Sequence, residues 1–141
     1  MRNQALLLPI AVVGLAIAIL YPLAFAYLLF WNLWWYDILL HFLGGAFVVA
    51  VARWSLASAP PSVLRLSRLR PLLFYIVITF FIGVLWEFFE FAADLTYVHS
   101  GYWVDTCTDL IMDMLGGAVA YLFLCVRRTP LAQPALQPEN K

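Results

Sequence analysis

The sequence predicts an all-α, polytopic membrane protein with four transmembrane helices. Hydrophobic residues make up 65% of the 141 residues and charged residues only 11%, which lies outside the range of soluble domains. Four apolar runs each reach the roughly 20 residues that a helix needs to cross a bilayer. The eight basic and eight acidic residues cancel, so the uniformly basic surface of a nucleic-acid-binding protein is excluded.

The apolar runs define four spans within a single transmembrane domain over residues 1–128. The first run is longer than the roughly 7–15 apolar residues of a signal peptide and continues to Trp31, which favours a retained helix over a cleaved leader. Three prolines follow Arg128, so residues 129–141 are expected to form a disordered cytoplasmic tail. The spans cover about residues 5–30, 36–57, 71–95 and 107–126.

Basic residues fall at the start of the first span, around the connection between the second and third spans, and after the fourth. The opposite connections, Trp31–Tyr36 and Thr96–Thr106, contain no lysine or arginine. The positive-inside rule therefore places both termini and the middle connection in the cytoplasm. The arginine-containing segment Ser58–Arg70 is expected to contact anionic membrane lipids. The basic residues are Arg2, Arg53, Arg65, Arg68, Arg70, Arg127, Arg128 and Lys141.

Two stretches of the chain resemble each other. DILLHFLGGA at Asp37–Ala46 aligns with DLIMDMLGGA at Asp109–Ala118. The alignment indicates duplication of a two-helix hairpin about an axis along the membrane normal; chance recurrence of polar helix starts and small residues is the alternative. The small residues of both copies are expected to pack helices closely rather than to contact a ligand. They are Gly44, Gly45, Ala46, Ala50, Gly116, Gly117 and Ala118.

Acidic residues and both histidines gather at the membrane side opposite the arginines. Side chains three or four positions apart share a helix face, and the acids of each span follow this spacing. Counting about 1.5 Å per residue along each helix, we expect the groups from three spans to form layers. The inner layer is His41, Glu87 and Asp113, the outer layer is Asp37, Glu90 and Asp109, and Asp94, Asp105 and His99 stand at the mouth.

Carboxylates in an apolar environment need compensation, since a central Asp costs about 2.5–3.5 kcal/mol on insertion scales. Arg53 cannot provide it, because it lies about 18 Å from His41 along the helix. A bound cation, protons shared between carboxyl groups, or a water-filled cavity would each meet the need. For Asp37, Asp94 and Asp105, solvation among the lipid headgroups is a competing interpretation.

An oxygen-rich set of ligands with one imidazole predicts a divalent metal ion: Mg, Ca, Mn or Zn. In a catalytic site, an unligated carboxylate, Asp37 or Glu90, would be the general base. The Glu-x-x-His pairs of four-helix di-iron proteins are missing from the chain. The predicted metal ligands are His41, Glu87, Glu90, Asp109 and Asp113.

Three stretches resemble the YjdF-like family of small bacterial inner-membrane proteins and, more distantly, the VanZ-like proteins. They are DILLHFLGG at Asp37–Gly45, WEFFEFAAD at Trp86–Asp94 and DTCTDLIMDMLGG at Asp105–Gly117. The YjdF-like resemblance implies a multi-pass protein of the bacterial inner membrane with no assigned biochemical activity. VanZ-like proteins are associated with glycopeptide-antibiotic tolerance.

Three functions fit this set of residues, so whether the protein is an enzyme stays open from the sequence. In the first, the ion activates water or polarises a phosphoryl group on a lipid-borne or cell-envelope substrate. In the second, the acids bind or transport a cation or proton, within a homo-oligomer. In the third, the chain is an accessory subunit of a larger membrane complex.

Overall fold

The computed structural model describes residues 4–56, 59–93, 95 and 101–126, and this part of the chain is all-α. Four of its helices are long and apolar enough to cross a membrane, as predicted. Two short helices, α2 and α4, lie in the connections. The helices are α1 (Gln4–Ala26), α2 (Leu29–Asn32), α3 (Tyr36–Ser55), α4 (Pro61–Leu69), α5 (Pro71–Ala92) and α6 (Tyr102–Val126). The predicted tail at 129–141 lies outside the described residues.

The helix ends differ from the ends of the predicted spans in two connections. The first apolar run does not form one helix, because Leu28 has a left-handed backbone with φ 54° that interrupts it between α1 and α2. α6 begins at Tyr102 rather than near Cys107, so Asp105 lies in its first turn. An acidic residue is favourable there, since the N-terminal end of a helix carries partial positive charge.

α3 is the central helix and packs on α1, α5 and α6. Leu6 at the start of α1 clusters with Ala50 near the end of α3, and Ala24 at the end of α1 clusters with Tyr36 at the start of α3. The two helices are therefore antiparallel. Tyr36 also donates a hydrogen bond from its hydroxyl to the backbone oxygen of Leu20, at 2.9 Å, which ties the ends together.

α5 is antiparallel to α6, which it contacts along its length. The rings of Tyr75 and Tyr121 lie 5.3 Å apart between the start of α5 and the end of α6, and Glu87 meets Thr106 at the other end of the pair. α3 and α6 run parallel, because Asp37 lies near Asp109 toward their starts and Ala50 clusters with Leu124 toward their ends. We call the end at which α3 and α6 begin and α5 ends the acidic end. The described arginines are Arg53 at the far end of α3 and Arg65, Arg68 and Arg70 in or next to α4.

Small residues allow α3 and α6 to pack with their backbones in contact, and this pair has the most extensive interface among the described helices. A Cβ atom added to Gly45 would collide with the backbone carbonyl of Asp113, and one added to Gly116 would collide with the backbone carbonyl of Phe42. The predicted packing role is confirmed for both glycines. Gly44 differs, because its added Cβ would meet only a carboxylate oxygen at an ordinary 3.6 Å.

α4 lies at the arginine end, next to α5. Val63 and Leu64 pack against the core formed by α3 and α5, whereas Arg65 and Arg68 are exposed. A helix with one apolar and one basic face is typical of the membrane surface. Contact between this helix and anionic lipids stays a prediction.

The two similar stretches of the sequence lie on α3 and α6, which pack side by side. His41 and Asp113, which are equivalent in that alignment, contact each other, as residues near an axis between two parallel helices would. α1 packs on α3 as α5 packs on α6, but among the described helices α5 also packs on α3, whereas α1 makes no comparable contact with α6. Duplication of a hairpin therefore stays a prediction.

Candidate metal centre

His41 is the centre of a buried polar cluster at the acidic end. It lies on α3 one turn after Asp37, and only 6% of its surface is exposed. The four-residue spacing places both side chains on the same face of α3, and that face contacts α5 and α6. A histidine in this position therefore meets carboxylates from all three helices.

Both imidazole nitrogens of His41 face carboxylates. Nδ1 lies 3.4 Å from Oδ2 of Asp113, while Nε2 lies 3.8 Å from Oδ1 of Asp37 and 3.8 Å from Oε1 of Glu87. With its proton on Nδ1, the ring donates to Asp113 and turns the lone pair of Nε2 toward the other two carboxylates. The chemistry of Nε2 then depends on what lies between these three groups.

Glu87 presents one satisfied and one unsatisfied oxygen to the cluster. Its Oε2 accepts a hydrogen bond from the hydroxyl of Thr106, at 2.8 Å. Its Oε1 is buried and has no hydrogen-bond partner among the described residues, although the residue is only 7% exposed. Thr106 thus fixes the orientation of the carboxylate and directs Oε1 toward His41. A buried acceptor without a partner is unfavourable unless a ligand or ion satisfies it.

Thr106 was not among the residues predicted for the site. It lies three positions before Asp109 and seven before Asp113, which is the spacing of one helix face. That signal was present in the sequence. The predicted start of the fourth span near Cys107 left the threonine in the preceding connection.

Glu90 and Asp109 complete the cluster and are 7% and 3% exposed. Two overlapping groups of side chains place one ligand atom each within 4.8 Å of one another: Asp37, His41 and Asp109, and His41, Glu87 and Glu90. Ligands at about 2.0–2.6 Å from a shared ion can lie up to about 5 Å apart. Both groups therefore have dimensions that suit one metal ion, and both use His41.

α5 leaves room for the carboxylate of Asp113. A Cβ added to Gly83 on α5 would lie 2.5 Å from Oδ2 of Asp113, so a larger residue there would force the carboxylate to move. The same oxygen contacts His41. Asp113 is consequently enclosed between α3 and α5, where it holds the imidazole rather than facing open solvent.

A family model described as "Predicted membrane protein (DUF2238)" matches residues 3–130. The chain belongs to this family. The assignment fits the resemblance to YjdF-like membrane proteins, whereas the distant resemblance to VanZ-like proteins stays a prediction. No curated protein and no solved structure matches the chain.

The matched region of this DUF2238 protein contains the whole cluster. Asp105 lies at the acidic end, is partly exposed and belongs to neither ligand group. The other two residues expected at the mouth, Asp94 and His99, lie outside the described residues. The inner and outer layers predicted for the acids are not separate around His41, because Asp37, Glu87 and Asp113 all approach its ring.

The charge of the cluster is not balanced by basic residues of the described chain. Each ion pair of its carboxylates is with His41. Arg53, on the same helix, lies about 18 Å away by helical rise. Even a protonated imidazole would carry one positive charge against five neighbouring carboxyl groups. The buried groups of this DUF2238 cluster could hold a metal cation.

Proposed function

We propose that this DUF2238 protein binds a divalent cation at the acidic end, with His41 Nε2 and the carboxylates of Glu87, Glu90 and Asp109 as ligands. Asp37 is near enough to Nε2 to serve as a further ligand or as a general base. Asp113 lies next to Nδ1, where it is better placed to orient the imidazole than to bind the metal ion itself. The observation that carries the proposal is the buried Oε1 of Glu87, which faces His41 and has no hydrogen-bond partner in the described part of the chain.

The distances favour a cation over a proton shared between His41 and the carboxylates near Nε2. Nε2 lies 3.8 Å from the nearest oxygens of Asp37 and Glu87, which is too far for a hydrogen bond. Ligands at about 2.0–2.6 Å from one ion can lie up to about 5 Å apart, so this separation is compatible with a shared ion. A cation between these atoms would also satisfy the unpartnered oxygen.

The ligand set indicates which ions to test. Mg²⁺ and Ca²⁺ prefer oxygen ligands, whereas imidazole suits Zn²⁺ and carboxylates suit Mn²⁺. Because one nitrogen is combined with several carboxylates, Mn²⁺ and Zn²⁺ are the ions for which we expect the highest affinity.

The cation site is tested by metal analysis of purified protein. The chain is stripped with a chelator in detergent, dialysed against Mn²⁺, and its bound Mn²⁺ is measured by electron paramagnetic resonance and elemental analysis. We expect near-equimolar metal in the wild type and loss of binding in Glu87→Gln and His41→Ala, because each removes a buried ligand. Asp105→Asn is the matched control, an acidic residue at the same end of α6 that should keep its metal.

Two results would contradict the cation site. One is wild-type protein that retains no metal after dialysis against Mn²⁺ or Zn²⁺. The other is equal retention in Glu87→Gln, His41→Ala and the control, which would place the metal elsewhere.

The bound ion would serve a reaction at the membrane surface. A divalent ion can polarise a phosphoryl group or activate water, and Asp37 or Glu90 would then act as the general base on a lipid-borne or cell-envelope substrate. Cation transport is less favoured, because the acids of the described helices lie at one end and leave no relay toward the other.

Three measurements distinguish the candidate functions. Turnover of a phosphate ester by the metal-loaded protein would support the enzyme, and cation flux into proteoliposomes would support the transporter. Stable co-purification with other chains would support the accessory subunit.

We also propose that the protein lies in a bacterial inner membrane with the acidic end outside and both termini in the cytoplasm. All the described arginines lie at the other end of the bundle, and the positive-inside rule places arginine-rich ends in the cytoplasm.

Cysteine labelling tests this orientation in spheroplasts. In a background in which Cys107 and Cys125 are replaced by alanine, Trp34→Cys should react with a membrane-impermeant maleimide in intact spheroplasts, since Trp34 is 82% exposed in the α2–α3 connection. Ser62→Cys, exposed on α4, should react only after lysis. The reverse pattern would show that the protein is inserted the other way.

A further inference from the structure

A cavity of about 480 Å³ lies between α1, α3 and α5 and extends from the metal centre along the bundle. Its volume is within the roughly 300–1,000 Å³ of typical small-molecule sites. On α5 its lining runs from Thr79 to Glu90, which corresponds to about 16 Å of helix. At one end it is lined by Asp37, His41, Glu90 and Asp113, and its remaining walls are mainly apolar, including Ile17, Ala18, Phe47, Val48 and Ile82.

The cavity lies where α1 and α5 each pack on α3 but not extensively on each other. Near the acidic end the rings of Tyr21 and Trp86 lie 6.0 Å apart across this gap. Further along, Ala18 lines the cavity and is exposed, and Ile82 lines it with 45% of its surface exposed. The cavity is thus a groove that opens sideways from the bundle, toward the lipid of the membrane.

The groove combines an apolar wall with a polar end, and this combination selects its occupant. Water is disfavoured along an apolar wall, whereas a hydrocarbon chain from the surrounding bilayer matches it. The polar end is acidic, so it would repel a bare phosphate but bind one through a metal ion. Divalent ions commonly bridge protein carboxylates and phosphate oxygens in this way.

We propose that the groove binds one hydrocarbon chain of a phosphate-bearing membrane lipid, whose phosphate oxygens bind the cation held by His41 and its neighbouring carboxylates. The hydrocarbon chain of the lipid enters sideways between Ala18 and Ile82 and lies against Phe47 and Val48. This inference rests on the proposed cation site, and it defines the substrate class of that site as an anionic phospholipid.

Photolabelling in detergent micelles tests the groove. The probe is a phosphatidylglycerol with a diazirine in one acyl chain, added to the wild type with Mn²⁺ and cross-linked by light. Mass spectrometry should locate the label on groove residues such as Ile17, Phe47 and Ile82. We expect chelation of Mn²⁺ to remove this labelling.

Two tryptophan variants make the test specific. Ala18→Trp should fill the groove and abolish the labelling, while Ala11→Trp, an equal change at an exposed position of α1 outside the groove, should leave it unchanged. Both positions are exposed, so neither substitution overpacks the core. Mn²⁺ binding is measured on each sample, which separates this proposal from that of the cation site.

Each outcome decides between the proposals. Bound Mn²⁺ with label spread over lipid-facing positions such as Leu15 and Phe123 overturns the groove proposal and leaves the cation site standing. The phosphate bridge is overturned if labelling of the groove survives chelation. It is also overturned if a diazirine-bearing alkylamine labels the groove more strongly in the absence of metal than the phosphatidylglycerol probe does with Mn²⁺. Wild-type protein without Mn²⁺ overturns the cation site and, with it, the lipid proposal.

Discussion

Replacing Gly45 with alanine is expected to lower the free energy of unfolding by about 2 kcal/mol, because a collision with backbone puts the overpacking cost near the upper end of its typical range, about 3 kcal/mol, and the gain in helix propensity offsets about 1 kcal/mol of it. The added Cβ would collide with the backbone carbonyl of Asp113. A backbone atom cannot turn aside as a flexible side chain can, so α3 and α6 must separate. Asp113 would move away from His41, and we expect weaker Mn²⁺ binding as a second effect.

Gly44→Ala is the control for this substitution. It makes the same chemical change one residue earlier, where the new Cβ meets only a carboxylate oxygen at 3.6 Å. Stability should therefore be unchanged or slightly higher. Equilibrium unfolding in mixed detergent micelles, followed by circular dichroism, measures both variants. Equal stability of the two would mean that the helices do not approach each other at Gly45.

Asp113→Asn is expected to weaken Mn²⁺ binding about 10- to 100-fold, the usual effect of removing a carboxylate that orients a metal-binding histidine. With its proton on Nδ1, His41 donates a hydrogen bond to the carboxylate of Asp113, and this tautomer keeps the lone pair on Nε2. An asparagine of nearly the same size loses the negative charge and can present its amide N–H to Nδ1 instead. The ring would then carry its proton on Nε2, where the metal should bind.

A spectroscopic measurement separates this positioning role from a general loss of structure. The nitrogen chemical shifts of His41 in labelled, metal-free protein, recorded at a pH at which the imidazole is neutral, should report the proton on Nδ1 in the wild type and on Nε2 in Asp113→Asn. Asp105→Asn should change neither the shifts nor the affinity. If Asp113→Asn bound Mn²⁺ as tightly as the wild type, His41 would not depend on Asp113 for its orientation.

The four long helices could be predicted from the sequence because each apolar run is long enough to cross a bilayer. The interruption at Leu28 could not, since this residue and its neighbours are as apolar as the helix that they end. The start of α6 was missed for the opposite reason. Asp105 and Thr106 are polar and shorten the apolar run, although the helix itself begins at Tyr102.

Helical spacing predicted which side chains share a face, and the structure brings His41 together with acids from α5 and α6 as expected. Spacing alone could not predict the contacts within the cluster, which depend on how closely the helices approach. Gly45 and Gly116 allow the backbones of α3 and α6 to approach closely, and Gly83 leaves space for the carboxylate of Asp113 that contacts Nδ1 of His41. The predicted roles of the individual residues as ligands or bases stay predictions.

The main interface of the bundle joins α3 to α6, which are separated in the chain by α4 and α5. A ribosome completes α6 last among these helices, so α3 must leave the translocon, or wait within it, before its principal partner exists. During that interval Asp37 and His41 lack the side chains of α6 that surround them in the finished bundle. Assembly of the polar cluster is therefore a late step of biogenesis, and membrane insertion of α6 completes it.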